Sequence, residues 1–186
     1  MNEQVKKRAS KQMMYIAIVS MIMMFAGLTS AYVISMKRED WVSFDLPQAL
    51  YISTILILLS SVSFILAKKS IRKDHIGQTT IFLAMTLLLG LGFVYFQLEG
   101  FKQLREAGLF FVGKGSMVSS SLLVVISFAH LVHVLAGIIV LSVVLIKNMN
   151  NKYNASNTLG IDLGGIFWHF VDVLWVFLFL FFYFIR

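Results

Sequence analysis

Five long stretches free of Lys, Arg and Glu limit what this chain can fold into. They cover residues 13–35, 47–67, 77–98, 116–146 and 163–185. A helix needs roughly 20 apolar residues to cross a hydrocarbon core of about 30 Å, and each stretch is long enough. Backbone polar groups in lipid must be satisfied internally, so only helices and closed barrels span a membrane. The alternation with period two that marks a barrel strand is absent. The expectation is therefore an all-α fold, an integral membrane bundle of five transmembrane helices. The loops are too short for a second domain, so residues 1–186 form a single membrane domain. Pro47 opens the second stretch, where a first helical turn tolerates it. No internal repeat or low-complexity tract interrupts the pattern. The first stretch exceeds the apolar run of about 7–15 residues in a cleaved signal, so it is expected to be retained.

Composition agrees. Hydrophobic residues make up 59% of the chain, against about 45–50% in a soluble domain. The mean hydropathy is +0.84. There is no Cys and a single Pro. These values exclude a soluble enzyme, a disulfide-stapled secreted module, a disordered chain and a thiolate metal site. The net charge of +7 then reports topology rather than a nucleic-acid partner. Ten of the sixteen Lys and Arg residues fall on the side of the N-terminus, the second loop and the fourth loop. They include Lys6, Lys7, Arg8, Lys11, Lys68, Lys69, Arg72, Lys73, Lys147 and Lys152. The other side holds Lys37, Arg38, Lys102, Arg105, Lys114 and Arg186. This bias places the N-terminus in the cytoplasm and the C-terminus outside. The acidic Glu39, Asp40 and Asp45 fall on the outer side.

Five ionisable residues sit within or at the edge of the stretches: Glu99, His130, His133, His169 and Asp172. Such groups are costly in a bilayer, so each is a candidate for function. At 100° per residue, Ser116, Ser119, Ser127, His130, His133 and Gly137 share one face of the fourth helix, and such a stripe faces protein rather than lipid. Gly165, His169 and Asp172 do the same on the fifth helix, Gly92, Tyr95 and Glu99 on the third, and Ser20, Gly27 and Ala31 on the first. The fourth and fifth helices are antiparallel neighbours across a short loop. Depth then lets Asp172 reach His133 or His130. Glu99 falls near the outer end of its helix, at the interface.

Several readings of this polar set stand side by side. It can be interhelical packing glue, worth about 0.6–2 kcal/mol per contact. It can be a lipid-headgroup site, with Trp168 and His169 near the inner boundary, or a proton or ion path. It can be a metal or haem site, although His130 and His133 share one helix. Met21, Met23 and Met24 read as gap filling rather than a copper site. The run 68–73 reads as a topology signal that also meets anionic lipid. The aromatic run 177–184 reads as lipid-facing bulk. No nucleophile–base pair or phosphate loop is present.

The segment Trp168-His169-Phe170-Val171-Asp172-Val173-Leu174-Trp175-Val176-Phe177-Leu178 closely resembles the last helix of subunit III of haem–copper oxidases, which reads W-H-F-V-D-x-x-W-x-x-L. Phe128-Ala129-His130-Leu131-Val132-His133-Val134-Leu135-Ala136-Gly137 resembles the preceding helix of that family. Three further blocks fit in order. They are Phe25-Ala26-Gly27-Leu28-Thr29-Ser30-Ala31-Tyr32, then Leu56-Ile57-Leu58-Leu59-Ser60-Ser61, then Leu89-Gly90 with Gln97-Leu98-Glu99. All five stretches are covered.

The resemblance implies an accessory subunit of a respiratory terminal oxidase in a bacterial inner (plasma) membrane, in the family's five-helix form, with a periplasmic C-terminus. Family chains bind no haem or copper; those redox centres belong to the partner subunits I and II. Subunit III packs on subunit I, binds phospholipid and supports proton uptake and enzyme lifetime. Oxygen reduction belongs to the complex, and this chain supplies no catalytic, cofactor-binding or metal-binding residue. Glu99, His130, His133, His169 and Asp172 are then expected as an interhelical and lipid-contact set, with Trp168 and Trp175 as contacts to lipid or subunit I. The sequence begins at what would be the third helix of a seven-helix member. Met21 stands where the family often carries a buried Glu, so no role of that carboxylate transfers. Cytochrome c and a quinol both remain open as electron donors, as does a supercomplex with a quinol-oxidising complex. The competing readings are a subunit III-like component of a nitric oxide reductase, a small transporter or proton channel, and a haem-binding membrane protein.

Overall fold

A computed structural model describes residues 3–39, 41, 44–109, 117–155 and 157–185, with backbone alone at 3, 4 and 6. Ser116, Asp40, Lys114, Arg186 and the Lys6 side chain therefore lie outside the described residues. The described residues form five helices: α1 (Glu3–Ser35), α2 (Gln48–Ile71), α3 (Ile76–Glu106), α4 (Val118–Met149) and α5 (Leu159–Phe184). All five are long and apolar enough to cross a membrane, and the chain is a multi-pass membrane protein. Pro47 stands just before α2 rather than inside its first turn.

Several helices run beyond their uncharged stretches. Charged residues do not stop a helix at the water boundary; a left-handed residue does. Asp74 (φ 57°), Gly108 (φ 78°) and Asn151 (φ 54°) follow α2, α3 and α4. After each, the next amide donates back five residues to a helix carbonyl: His75 to Ser70 at 3.2 Å, Leu109 to Leu104 at 3.1 Å and Lys152 to Lys147 at 3.0 Å. This closure satisfies carbonyls that the helix end would leave orphaned.

Helices α2, α3, α4 and α5 close into a ring, each packing on the next and α5 returning to α2. α1 lies outside the ring against α4 and α5. The α2–α3 contact is the most extensive. Small residues explain it: Ser53, Ser60, Ser63 and Ala67 of α2 and Thr79, Thr86 and Gly90 of α3 are buried. Such residues let membrane helices approach closely. Two apolar layers fill the ring. One centres on Ile57, Phe93, Ile126 and Trp175, the other on Phe64, Leu83, Leu141 and Trp168.

The expected face of α1 is corrected. Ser20, Gly27 and Ala31 are exposed, and a Cβ added at Gly27 would touch nothing within 4 Å. α1 instead buries Phe25, Thr29 and Tyr32. Phe25 lies edge-on to His130 and His133 of α4, and Tyr32 to Phe181 and Phe182 of α5. On the α3 face, Tyr95 is turned outward and 64% exposed, while Gly92 and Glu99 are half-buried.

One indole fixes the spacing of α3, α4 and α5. A Cβ added at Gly90 would meet Cη2 of Trp168 at 2.7 Å, and one added at Gly137 would meet its Cε3 at 3.1 Å. The ring is rigid and enclosed, so it cannot swing aside. Gly90→Ala should therefore destabilise the bundle by about 1–3 kcal/mol. Thermal unfolding of the detergent-solubilised chain checks this; an unchanged midpoint would show that the notch has slack.

Candidate functional site

The buried polar groups lie along one face of α5 and the surfaces that receive it. Trp168, Asp172 and Trp175 are four and three residues apart, so they stack along one side of the helix. That side is buried, and both indoles are turned fully inward. The Trp168 Nε1–H donates to Ser60 Oγ at 3.1 Å. The Trp175 Nε1–H donates to Thr54 Oγ1 at 3.0 Å. As α5 advances by seven residues, its partner on α2 moves back by six, the register of two antiparallel helices.

The acceptors are prepared by their own helix. Ser60 Oγ donates to the Ile57 carbonyl at 2.8 Å, and Thr54 Oγ1 to the Leu50 carbonyl at 2.8 Å. Each hydroxyl proton is thereby held by the helix backbone, and the oxygen presents a lone pair to the neighbouring helix. The device recurs twice. Ser53 Oγ donates to the Leu50 carbonyl at 2.9 Å and accepts from Gln97 Nε2 at 3.2 Å. Thr80 Oγ1 donates to the Ile76 carbonyl at 3.0 Å and accepts from Asn148 Nδ2 at 2.9 Å.

The α4 stripe is buried as expected: Ser119, Ser127, His130 and Gly137 face the bundle. His130 is fully buried within three rings. It stacks on Trp175 at 5.1 Å between centroids, with Phe93 at 5.9 Å and Phe25 at 6.3 Å edge-on. Neither of its ring nitrogens has a hydrogen-bond partner among the described residues. His133 is half-buried, and its Nδ1–H donates to the Ala129 carbonyl at 2.7 Å.

The predicted reach of Asp172 to His133 or His130 is corrected. Asp172 is buried, yet neither carboxylate oxygen has a hydrogen-bond partner among the described residues. Its ionic neighbour is His169 on its own helix, Nδ1 to Oδ2 at 3.9 Å. That Nδ1 is also 2.7 Å from Ser61 Oγ on α2. Asp172 thus faces the α2–α5 seam, while the histidines of α4 belong to the aromatic box. His169 is partly exposed. The expectation that Trp168 and Trp175 touch lipid or a partner subunit is also corrected, because both rings are used up inside the bundle. Glu99 stands apart from this set, half-exposed and 3.6 Å from Lys102 Nζ. Among the described residues, no three His, Asp or Glu side chains form a group that could hold a metal ion.

Sequence reasoning missed the receiving surface on α2. Thr54 and Ser61 are seven residues apart, as are Ser53 and Ser60, and this spacing within an uncharged span was the available signal. It also missed Gln97, Asn148 and the ion pair between Lys68 Nζ and Asp162 Oδ1 at 2.9 Å. That pair joins the end of α2 to the first turn of α5.

Two openings flank α1. One, of about 640 Å³, runs between α1 and α5 past Phe25, Thr29, Phe170 and Phe177 and is almost wholly apolar. The other lies at the opposite end, between α1, α4 and α5, where Met14, Val140 and Leu163 form an apolar trough of about 340 Å³. It adjoins a more polar hollow of about 560 Å³ lined by Lys147, Asn150, Lys152 and Asn157, and the two share Tyr153 and Gly160. Burial pushes the Tyr153 phenol above its usual pKa, so it remains a protonated donor there.

Known proteins are similar to this chain. The family model for cytochrome c oxidase subunit III matches residues 2–186. The chain is 32% identical over 139 residues to cytochrome c oxidase subunit 3 of Drosophila melanogaster, covering 75% of this chain and 51% of that protein. It is 30% identical over 173 residues to cytochrome c oxidase subunit 3 of Corynebacterium diphtheriae, covering 89% and 82%. It is 31% identical over 133 residues to cytochrome bo(3) ubiquinol oxidase subunit 3 of Pseudomonas aeruginosa, covering 72% and 62%. The chain thus spans about half the length of the insect relative. A match over residues 2–186, which takes in all five helices, places the chain in the cytochrome c oxidase subunit III family.

Proposed function

We propose that this chain is the accessory subunit of a respiratory haem–copper terminal oxidase, with oxygen reduction carried out by its partners, subunits I and II. It sits in a bacterial inner membrane with its N-terminus in the cytoplasm, as the Lys and Arg bias indicates. The observation that carries this reading is how the buried polar groups are used. Most of them join one helix to another or to its own backbone. Such a bundle supports a neighbour. His169 and His133 are the members of the set that retain exposure, so they are the ones left to touch a partner subunit.

The cleft between α1, α4 and α5 is the site for phospholipid. Lys147 and Lys152 meet a headgroup phosphate, and the Met14–Val140–Leu163 trough takes an acyl chain. A quinol as the direct electron donor is the second reading for electron supply, favoured by the relative named as a ubiquinol oxidase subunit.

A mild-detergent pull-down on an N-terminal tag tests the assignment. Co-purification of a large multi-helix subunit and a copper-domain subunit, with a- or b-type haem bands and oxygen consumption, is expected. A lone colourless chain of 21.1 kDa overturns it. Within such a complex, Asp172→Leu, His133→Leu and His169→Leu should each lose subunit III several-fold faster during detergent washing, while the isolated variant keeps its helicity. Normal retention and turnover lifetime in all three would remove these side chains from the interface. Lys147→Gln with Lys152→Gln should lower the anionic phospholipid that co-purifies by about one molecule per chain, read by lipid mass spectrometry. Unchanged lipid content rules out the cleft.

A further inference from the structure

The turn between α2 and α3 builds a second hollow, of about 240 Å³, that shares no lining residue with the cleft beside α1. Its rim is Lys69, Lys73, His75 and Gln78, and its floor is Leu66 and Phe82. Its free donors are the two lysine ammonium groups and the amide NH₂ of Gln78. Lys69 and Lys73 lie one helical turn apart on the same side, and neither has an ion-pair partner among the described residues. Gln78 Oε1 accepts from Ser70 Oγ at 3.4 Å and from His75 Nδ1 at 3.3 Å. This occupies the amide oxygen and leaves the amide NH₂ for a ligand. Ser70 Oγ also lies 3.2 Å from the His75 carbonyl, which fixes the turn.

The acid next in the chain is kept out. Asp74 adopts a left-handed conformation, and its Oδ1 accepts from the Ala155 amide at 2.7 Å, on the loop between α4 and α5. The lining therefore carries no carboxylate. Behind it, α3 begins at Ile76 with no side-chain cap, so the amide dipoles of its first turn aim at the same end of the bundle. The floor adds a second requirement. Leu66 is 41% exposed, and Ser63 Oγ donates to the Phe82 carbonyl at 2.9 Å, holding α2 and α3 together beneath the rim. A cationic rim free of carboxylates at the end of two membrane helices, above an apolar floor, suits a phosphate whose other end is greasy.

We propose that this hollow binds the phosphate of an anionic phospholipid in the leaflet next to the α2–α3 turn, Lys69 and Lys73 meeting the phosphate and Leu66 and Phe82 the start of the acyl region. The site does not rest on the accessory-subunit assignment. Arg72 lies in the same basic run but does not line the hollow, so it separates a built site from diffuse charge.

Native mass spectrometry of the full chain in non-ionic detergent tests it, with dioleoyl phosphatidylglycerol as probe and dioleoyl phosphatidylcholine as comparator. A Lys147→Gln/Lys152→Gln background removes the cleft beside α1 from the measurement. Adding Lys69→Gln and Lys73→Gln should weaken phosphatidylglycerol binding about tenfold or more, while Arg72→Gln changes it less than about twofold. Equal losses for Arg72→Gln, no loss for the lysine pair, or parallel loss of phosphatidylcholine would each overturn the site. Displacement of the lipid by millimolar inorganic phosphate would identify free phosphate as a source the site also accepts; resistance to it identifies the lipid alone. Failure of the background pair to release lipid bears on the cleft beside α1 and leaves this result unaffected.

Discussion

The bundle depends on Trp168 lying across the two glycines that face it. Between membrane helices there is no hydrophobic driving force, because lipid tails are as apolar as side chains. Association rests on close packing and on polar contacts that lipid cannot replace. Trp168 supplies both. Its ring fills the space left by Gly90 of α3 and Gly137 of α4, and its N–H finds Ser60 of α2. One side chain of α5 thus touches the other three helices of the ring. Trp175, seven residues on, repeats the arrangement with Thr54 and stacks on His130. Two indoles on one helix face set both the distance and the register of α5.

The hydroxyl groups make this possible. An indole N–H buried in lipid needs an acceptor. Helix carbonyls are already engaged, and a free serine hydroxyl would rotate among several partners. Binding the hydroxyl proton to a carbonyl one turn back removes that freedom and orients the oxygen outward. Ser53, Thr54, Ser60 and Thr80 all do this, and each receives a donor from another helix. The same side chains that weaken a soluble helix interior are here the connectors between helices.

The number, type and approximate place of the helices could be read from the sequence because length and charge suffice for that. Faces were harder. In a soluble helix the apolar side is the inner side; in this chain both sides are apolar, and periodicity loses its reference. The α4 stripe was legible because His130 and its serines are too polar for lipid. The α1 stripe was not, since Ser20, Gly27 and Ala31 are tolerated against either environment and the aromatic Phe25 and Tyr32 took the buried side. Trp168 and Trp175 were read as contacts to lipid or a partner because tryptophan favours interfaces. Nothing in the pattern revealed the glycine notch that draws one of them inward, because Gly90 and Gly137 are remote in sequence.

Asp172 shows where this logic reaches its limit and function begins. A carboxylate without a hydrogen bond inside a membrane bundle is costly, and packing alone would place Leu there. The aromatic box around His130 has the same character, since three rings enclose two unpaired nitrogens. Trp168, Trp175 and the four hydroxyls satisfy the demands of folding. Asp172 lies behind the partly exposed His169, which Ser61 holds at the α2–α5 seam. A buried charge-bearing group placed behind a partly exposed imidazole acts on whatever meets that imidazole.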